Sequence, residues 1–147
     1  VKDVRRRGLA EWLIAACGVW LMGLGFYFIF LRPALLPEDV RFIGSSLAQI
    51  RMALPGLEGW LHQVFAVMGG FIVGTGVLTV FLAWVAMPIG LKGTSWVIAL
   101  TGALTVALMS VTNFELNSDF RWLLLAPALA WLAGLMVHAE RRRRHRD

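Results

Sequence analysis

The chain has 147 residues, of which 59% are hydrophobic and only 16% charged, and its mean hydropathy is +0.71. The length suits one domain, and the composition excludes an ordinary water-soluble one, which is about half apolar and about a quarter charged. The net charge of +5 does not point to nucleic acid, because the basic residues flank apolar runs: Lys2, Arg5, Arg6 and Arg7 before the first, and Arg141 to Arg144 with Arg146 after the last. The positive-inside rule and contact with anionic headgroups account for that placement.

Leu9 to Leu31 reads as the first membrane span, long enough to cross a hydrocarbon core of about 30 Å, and Arg32-Pro33 ends it. Glu11 sits at its edge, within reach of water or of the neighbouring arginines. Cys17, the single cysteine, excludes an intramolecular disulfide. Ile14-Ala15-Ala16-Cys17 has the outline of a lipoprotein signal box, but Glu11 interrupts the run before it and apolar sequence continues past it, so a small buried residue is the favoured reading.

Pro37-Glu38-Asp39 marks a helix start, with proline in the first turn and acids at the positive dipole end. Val40, Ile43, Leu47, Ile50 and Leu54 then recur at helical spacing, which predicts one amphipathic surface helix over 37–54, closed by Pro55-Gly56. Residues 60–87 form the second span, rich in small residues. Gly70 and Gly74 in it are the candidate helix-packing pair, within the chain or, less favoured, between copies.

After a short turn holding Lys92, residues 95–111 form a third span near the lower length limit. Thr112 to Asp119 reads as a polar connection, with Ser118 as N-cap for a fourth span over 120–139. Pro127 lies inside that span and cannot donate to the carbonyl of Leu123, while Arg121 and His138 near its ends can snorkel toward water. With both termini cytoplasmic, ten Lys and Arg fall inside (four N-terminal, Lys92, five C-terminal) against four outside, Arg32, Arg41, Arg51 and Arg121. Trp12, Trp60, Trp84, Trp96 and Trp122 fall near predicted interfaces, whereas Trp20 and Trp131 fall mid-span as packing residues. The expected fold is therefore all-α: an integral membrane four-helix bundle of a single domain, with one surface helix between spans 1 and 2.

Polar chemistry collects on the predicted outer face, and the candidate cluster is Asp39, Arg41, Glu115, Asp119 and Arg121. Asp39-Val40-Arg41 and Asp119-Phe120-Arg121 repeat an Asp-x-Arg pattern whose members cannot face each other on one helix. Reciprocal pairing, Asp39 with Arg121 and Asp119 with Arg41, is one reading, and four independent interfacial charges is the other. No metal or cofactor site is expected: His62 falls on the opposite side from His138 and His145, and no HExxH, paired cysteine or phosphate loop is present. No ionisable residue sits mid-span, which argues against a proton or ion pathway.

The stretches Arg32-Pro33-Ala34-Leu35-Leu36-Pro37-Glu38-Asp39-Val40-Arg41-Phe42-Ile43-Gly44, Trp60-Leu61 with Val67-Met68-Gly69-Gly70-Phe71, and Ser118-Asp119-Phe120-Arg121-Trp122-Leu123 resemble a group of small four-span bacterial proteins. The resemblance implies a bacterial inner membrane and carries no assigned activity. Three functional expectations follow. The first is a non-catalytic accessory or assembly component of the bilayer, acting on a membrane-protein partner or as a homo-oligomer. The second is a small transporter or lipid-ligand binder with its site in the outer cluster. The third is a membrane enzyme on a lipid-like substrate, with Glu115 or Asp119 as base. The chain opens on Val1, which leaves its true start open.

Overall fold

Four apolar runs fold into four helical rods, each long and apolar enough to cross a membrane. The structure, a computed structural model, describes residues Gly8 to Arg144, so Lys2, Arg5 to Arg7, His145 and Arg146 lie outside it. Helix α1 is Leu9–Phe30, and α4 is Leu57–Phe81, prolonged by a π turn over Leu82–Ala86. The third rod is α5 (Thr94–Gly102), a π turn over Ala103–Ala107, and α6 (Leu108–Glu115); the fourth is α7 (Arg121–Arg143). At 1.5 Å per residue even the shortest rods, of 22 residues, are about 33 Å long. Among the described residues there is no strand.

The third rod is longer than the sequence suggests. Thr112 to Glu115 continue the helix instead of opening a polar loop, because Asn113 turns its amide back to the Met109 carbonyl (2.9 Å). The rod closes only past Leu116, where Asn117 takes the left-handed conformation at φ 51°. This places Glu115 on the last helical turn. At the other end α7 runs through the arginines to Arg143.

The predicted helix over 37–54 is two helices, α2 (Pro37–Ile43) and α3 (Leu47–Ala53). Gly44 ends α2 in the left-handed conformation (φ 72°), which a side chain would disfavour. Ser46 then starts α3 with a capping box: its hydroxyl accepts from Gln49 N (3.2 Å) while the Gln49 side chain accepts from Ser46 N (3.0 Å). The apolar spacing runs through both pieces, so periodicity alone could not reveal the break.

Helix α1 packs most intimately along α4 and next along α7, and the third rod packs on α7. The α1–α4 seam is built from four glycines. A Cβ on Gly25 would lie 2.7 Å from the Gly69 carbonyl oxygen, and one on Gly76 would lie 2.6 Å from that of Gly18. These pairs are seven residues apart on each helix, a heptad seam in which backbones touch. Within the chain, the packing glycines of this seam are therefore these four and not Gly70 and Gly74. Gly70 and Gly74 point away, and a Cβ added to either would meet no neighbouring group within 4 Å, because a helix turns about 100° per residue and Gly69 and Gly76 already occupy the seam.

The remaining contacts pair small with large residues. A Cβ on Gly102 would fall 2.3 Å from the Trp131 indole nitrogen, which donates to the Ile98 carbonyl (3.0 Å), and Gly134 lies against Ile14 and Leu13. Trp131 is buried and Trp20 packs against the same core, as expected of mid-span tryptophans. Around Pro127, Ser110 on α6 donates to the Leu124 carbonyl (2.9 Å) and Cys17 on α1 donates to the Pro127 carbonyl (3.5 Å). Cys17 is thus buried between helices, the place that the small-buried-residue reading gives it.

Candidate functional site: a polar clasp at the loop end

Both described ends of the chain, Gly8 and Arg144, lie at one end of the rods, and α2, α3 and the α6–α7 turn lie at the other. At this loop end every acidic or basic residue of α2 has a partner outside the helix. Asp39 caps α2 by accepting from Leu36 N (2.8 Å) and from Arg32 Nη2 (3.2 Å). The Arg32 guanidinium lies 3.7 Å from the ring centre of Phe65 on α4 and 5.3 Å from that of Phe28 on α1. A cation over aromatic faces, with its side chain only 10% exposed, is held by quadrupole attraction and by the carboxylate together.

One residue on, Glu38 is 5% exposed and accepts from the Ser118 hydroxyl (3.1 Å), which itself accepts from Phe120 N (3.2 Å). Two residues further, Arg41 pairs with Asp119 across the surface (3.1 Å). Helix α2 therefore ties the α1–α4 pair, through Arg32, to the α6–α7 turn, through Ser118 and Asp119. Its acids sit at its N-terminal end, where the backbone N–H groups favour negative charge. A separate bidentate pair, Arg51 with Glu58 (3.0 and 3.1 Å), joins α3 to the first turn of α4 and raises the Arg51 pKa further above its ordinary value, through the hydrogen bond first and the charge second.

The five residues singled out from the sequence do not converge. Of the reciprocal pairing only half forms, Arg41 with Asp119. Asp39 takes Arg32 instead, and Arg121 bonds the side chain of Asn117, four residues before it. Glu115 is exposed and makes no side-chain hydrogen bond or ion pair among the described residues. Ser118 is not the N-cap of α7, which begins after Phe120. Three residues that do the holding, Arg32, Glu38 and Ser118, were outside the candidate set. The signal available for Arg32 was an arginine one turn after Phe28, and for Ser118 a hydroxyl beside the Asp-x-Arg repeat.

Beside the clasp, Ala53, Leu54, Pro55, Gly56, Leu57 and Trp60 line a shallow apolar depression of about 370 Å³. Phe42, Ile43, Met52 and Leu54 of the α2–α3 region are exposed. Among the described residues no group of three His, Cys, Asp or Glu is placed to hold a metal ion.

At the tail end Glu11 is 3% exposed, accepts from Gly8 N (2.8 Å), and pairs with Arg141 of α7 (3.2 Å); the arginines that precede it in sequence lie outside the described residues. His138 is buried and does not snorkel. Trp12 and Trp84 meet edge to face at 5.7 Å. Compared with family models, curated proteins and solved structures, the chain matches none.

Proposed function

We propose that the chain is a multi-pass membrane protein with both tails in the cytoplasm and the α2–α3 region on the opposite side, and that it acts as a non-catalytic accessory or assembly component in a bacterial inner membrane. The observation that carries this reading is the clasp. Asp39, Arg41 and Asp119 have partners within the chain, so they serve to hold a surface in place. The surface they hold presents Phe42, Ile43, Met52 and Leu54 outward, side chains that a membrane partner or the bilayer interface would cover. The rods support insertion in the same way. Phe71, Leu78, Trp96, Leu104 and Leu123 are each more than 60% exposed, so these helices need a nonaqueous cover.

A second reading, a binder of a lipid-like molecule, is favoured by the apolar depression at Trp60 and not by the charged cluster. One experiment separates the two. The protein is purified in mild detergent from native membranes, and co-purifying proteins and lipids are identified by mass spectrometry, for the wild type and for Met52→Glu and Trp60→Ala. A stoichiometric protein lost with Met52→Glu supports the accessory reading. A lipid lost with Trp60→Ala and no protein partner replaces it with the second.

A further inference from the structure

Three polar side chains are buried at one level near the tail end, on three different helices. Glu11, Thr94 and His138 are 3%, 4% and 6% exposed. Their common level follows from the helix contacts. On the antiparallel α5 and α7, Gly102 faces Trp131; Thr94 lies eight residues before Gly102 and His138 seven after Trp131, displacements of about 12 and 10.5 Å toward the same end. On α1 and α7, Ile14 faces Gly134; Glu11 lies three residues before Ile14 and His138 four after Gly134, about 4.5 and 6 Å toward that end. Thr94, Ile98 and Gly102 are all buried, as are Trp131, Gly134 and His138, so the two faces look at each other.

Two atoms at this level, His138 Nδ1 and Thr94 Oγ1, are buried and have no hydrogen-bond partner among the described residues. A polar atom removed from water without a partner is costly, and native interiors leave very few of them. The surroundings are charged as well as polar. His138 lies within electrostatic range of Glu11, Arg141 and Arg142, and Arg142 is anchored to Ser95, next to Thr94, at 3.1 Å.

We propose that this three-helix junction is an internal water-binding site, with bound water bridging His138 Nδ1 and Thr94 Oγ1 beneath the Glu11–Arg141 pair. Water is the ligand the chemistry selects. It donates and accepts at once, so it satisfies a hydroxyl and either imidazole tautomer, and buried water in proteins makes about three such bonds. The junction then joins α1, α5 and α7 through a hydrated contact, at the end opposite the glycine pair Gly25–Gly69 and between the buried Trp131 layer and the Glu11–Arg141 pair.

The test is water-edited solid-state NMR of protein labelled with ¹⁵N-histidine in phosphatidylcholine–phosphatidylglycerol bilayers, in a His62→Gln, His145→Gln background that leaves His138 as the one histidine. Rapid magnetisation transfer from water to the His138 Nδ1 is expected, and it falls several-fold in Thr94→Val while Thr94→Ser keeps it. A His138 signal with no water transfer, or one equally strong in Thr94→Val, overturns the site. The first arm needs no Thr94 variant, so a misfolded Thr94→Val leaves the test decisive.

Discussion

Gly25 and Gly69 face each other so closely that a Cβ on either would lie 2.6–2.7 Å from the other's carbonyl oxygen. The side chains of Val73 (2.6 Å) and Ile29 (2.7 Å) crowd the same two places, and the backbone oxygens beside them cannot turn aside as a side chain can. Gly25→Ala and Gly69→Ala therefore each push α1 and α4 apart, at a cost of about 1–3 kcal/mol, read as a lower unfolding midpoint in detergent. Gly70→Ala and Gly74→Ala, with open space around them, stay within about 0.5 kcal/mol. Equal losses at Gly69 and Gly70 would mean that the seam is placed on the wrong face.

Ser118 is expected to outweigh Asp119, although Asp119 carries the charge. Ser118→Ala takes from the buried Glu38 its hydroxyl donor, at about 1–3 kcal/mol. Asp119→Asn breaks a pair whose two side chains are 58% and 64% exposed, and such pairs contribute about 1 kcal/mol or less. Thermal unfolding of both variants in the same detergent gives the ranking. A larger loss for Asp119→Asn would show that the clasp is held by its rim and not by its buried acid.

The rods were legible in the sequence because a span needs about twenty apolar residues and three of the runs supply them, while the third run, read as 95–111, falls short until Thr112 to Glu115 join the helix. What periodicity could not show was which face of a rod meets which neighbour. Gly69-Gly70 with Gly74 and Gly76 offers two glycine faces about 100° apart, and only the partner helix, with Gly18 and Gly25, selects between them. The break at Gly44 was visible as glycine followed by Ser46-x-x-Gln49, yet the apolar spacing from Val40 to Leu54 masked it. The clasp was half legible. The Asp-x-Arg repeat led to Arg41 with Asp119, but Asp39 was claimed by Arg32, whose place between Phe28 and Phe65 depends on how α1 and α4 meet.

Gly102 and Trp131 form a lock that constrains substitution from both sides. Gly102→Ala would drive a methyl group into the indole, 2.3–2.7 Å from three of its atoms, and overpacking of this kind costs about 1–3 kcal/mol. Trp131→Phe removes the bond to the Ile98 carbonyl and leaves a smaller ring, so Gly102→Ala is less damaging in the Trp131→Phe background than in the wild type. A double-mutant cycle on the unfolding midpoint measures the coupling. Additive effects would place the indole elsewhere.

The Glu11–Arg141 pair gives the sharpest asymmetry between single and double changes. Glu11 has a 4% exposed side chain and Arg141 a 34% exposed one, so removing the arginine strands a buried carboxylate, whereas removing both strands no charge. Arg141→Met is expected to cost about 2 kcal/mol or more, since breaking one side of a buried pair leaves an uncompensated charge. Glu11→Leu combined with Arg141→Met recovers most of that loss, because a buried ion pair is often replaceable by apolar residues of similar volume. Unfolding of the three variants in lipid nanodiscs measures the recovery. If the double variant is as unstable as Arg141→Met alone, the carboxylate holds more than its arginine, and the bond that Glu11 accepts from Gly8 N at the start of α1 becomes the contact to test next.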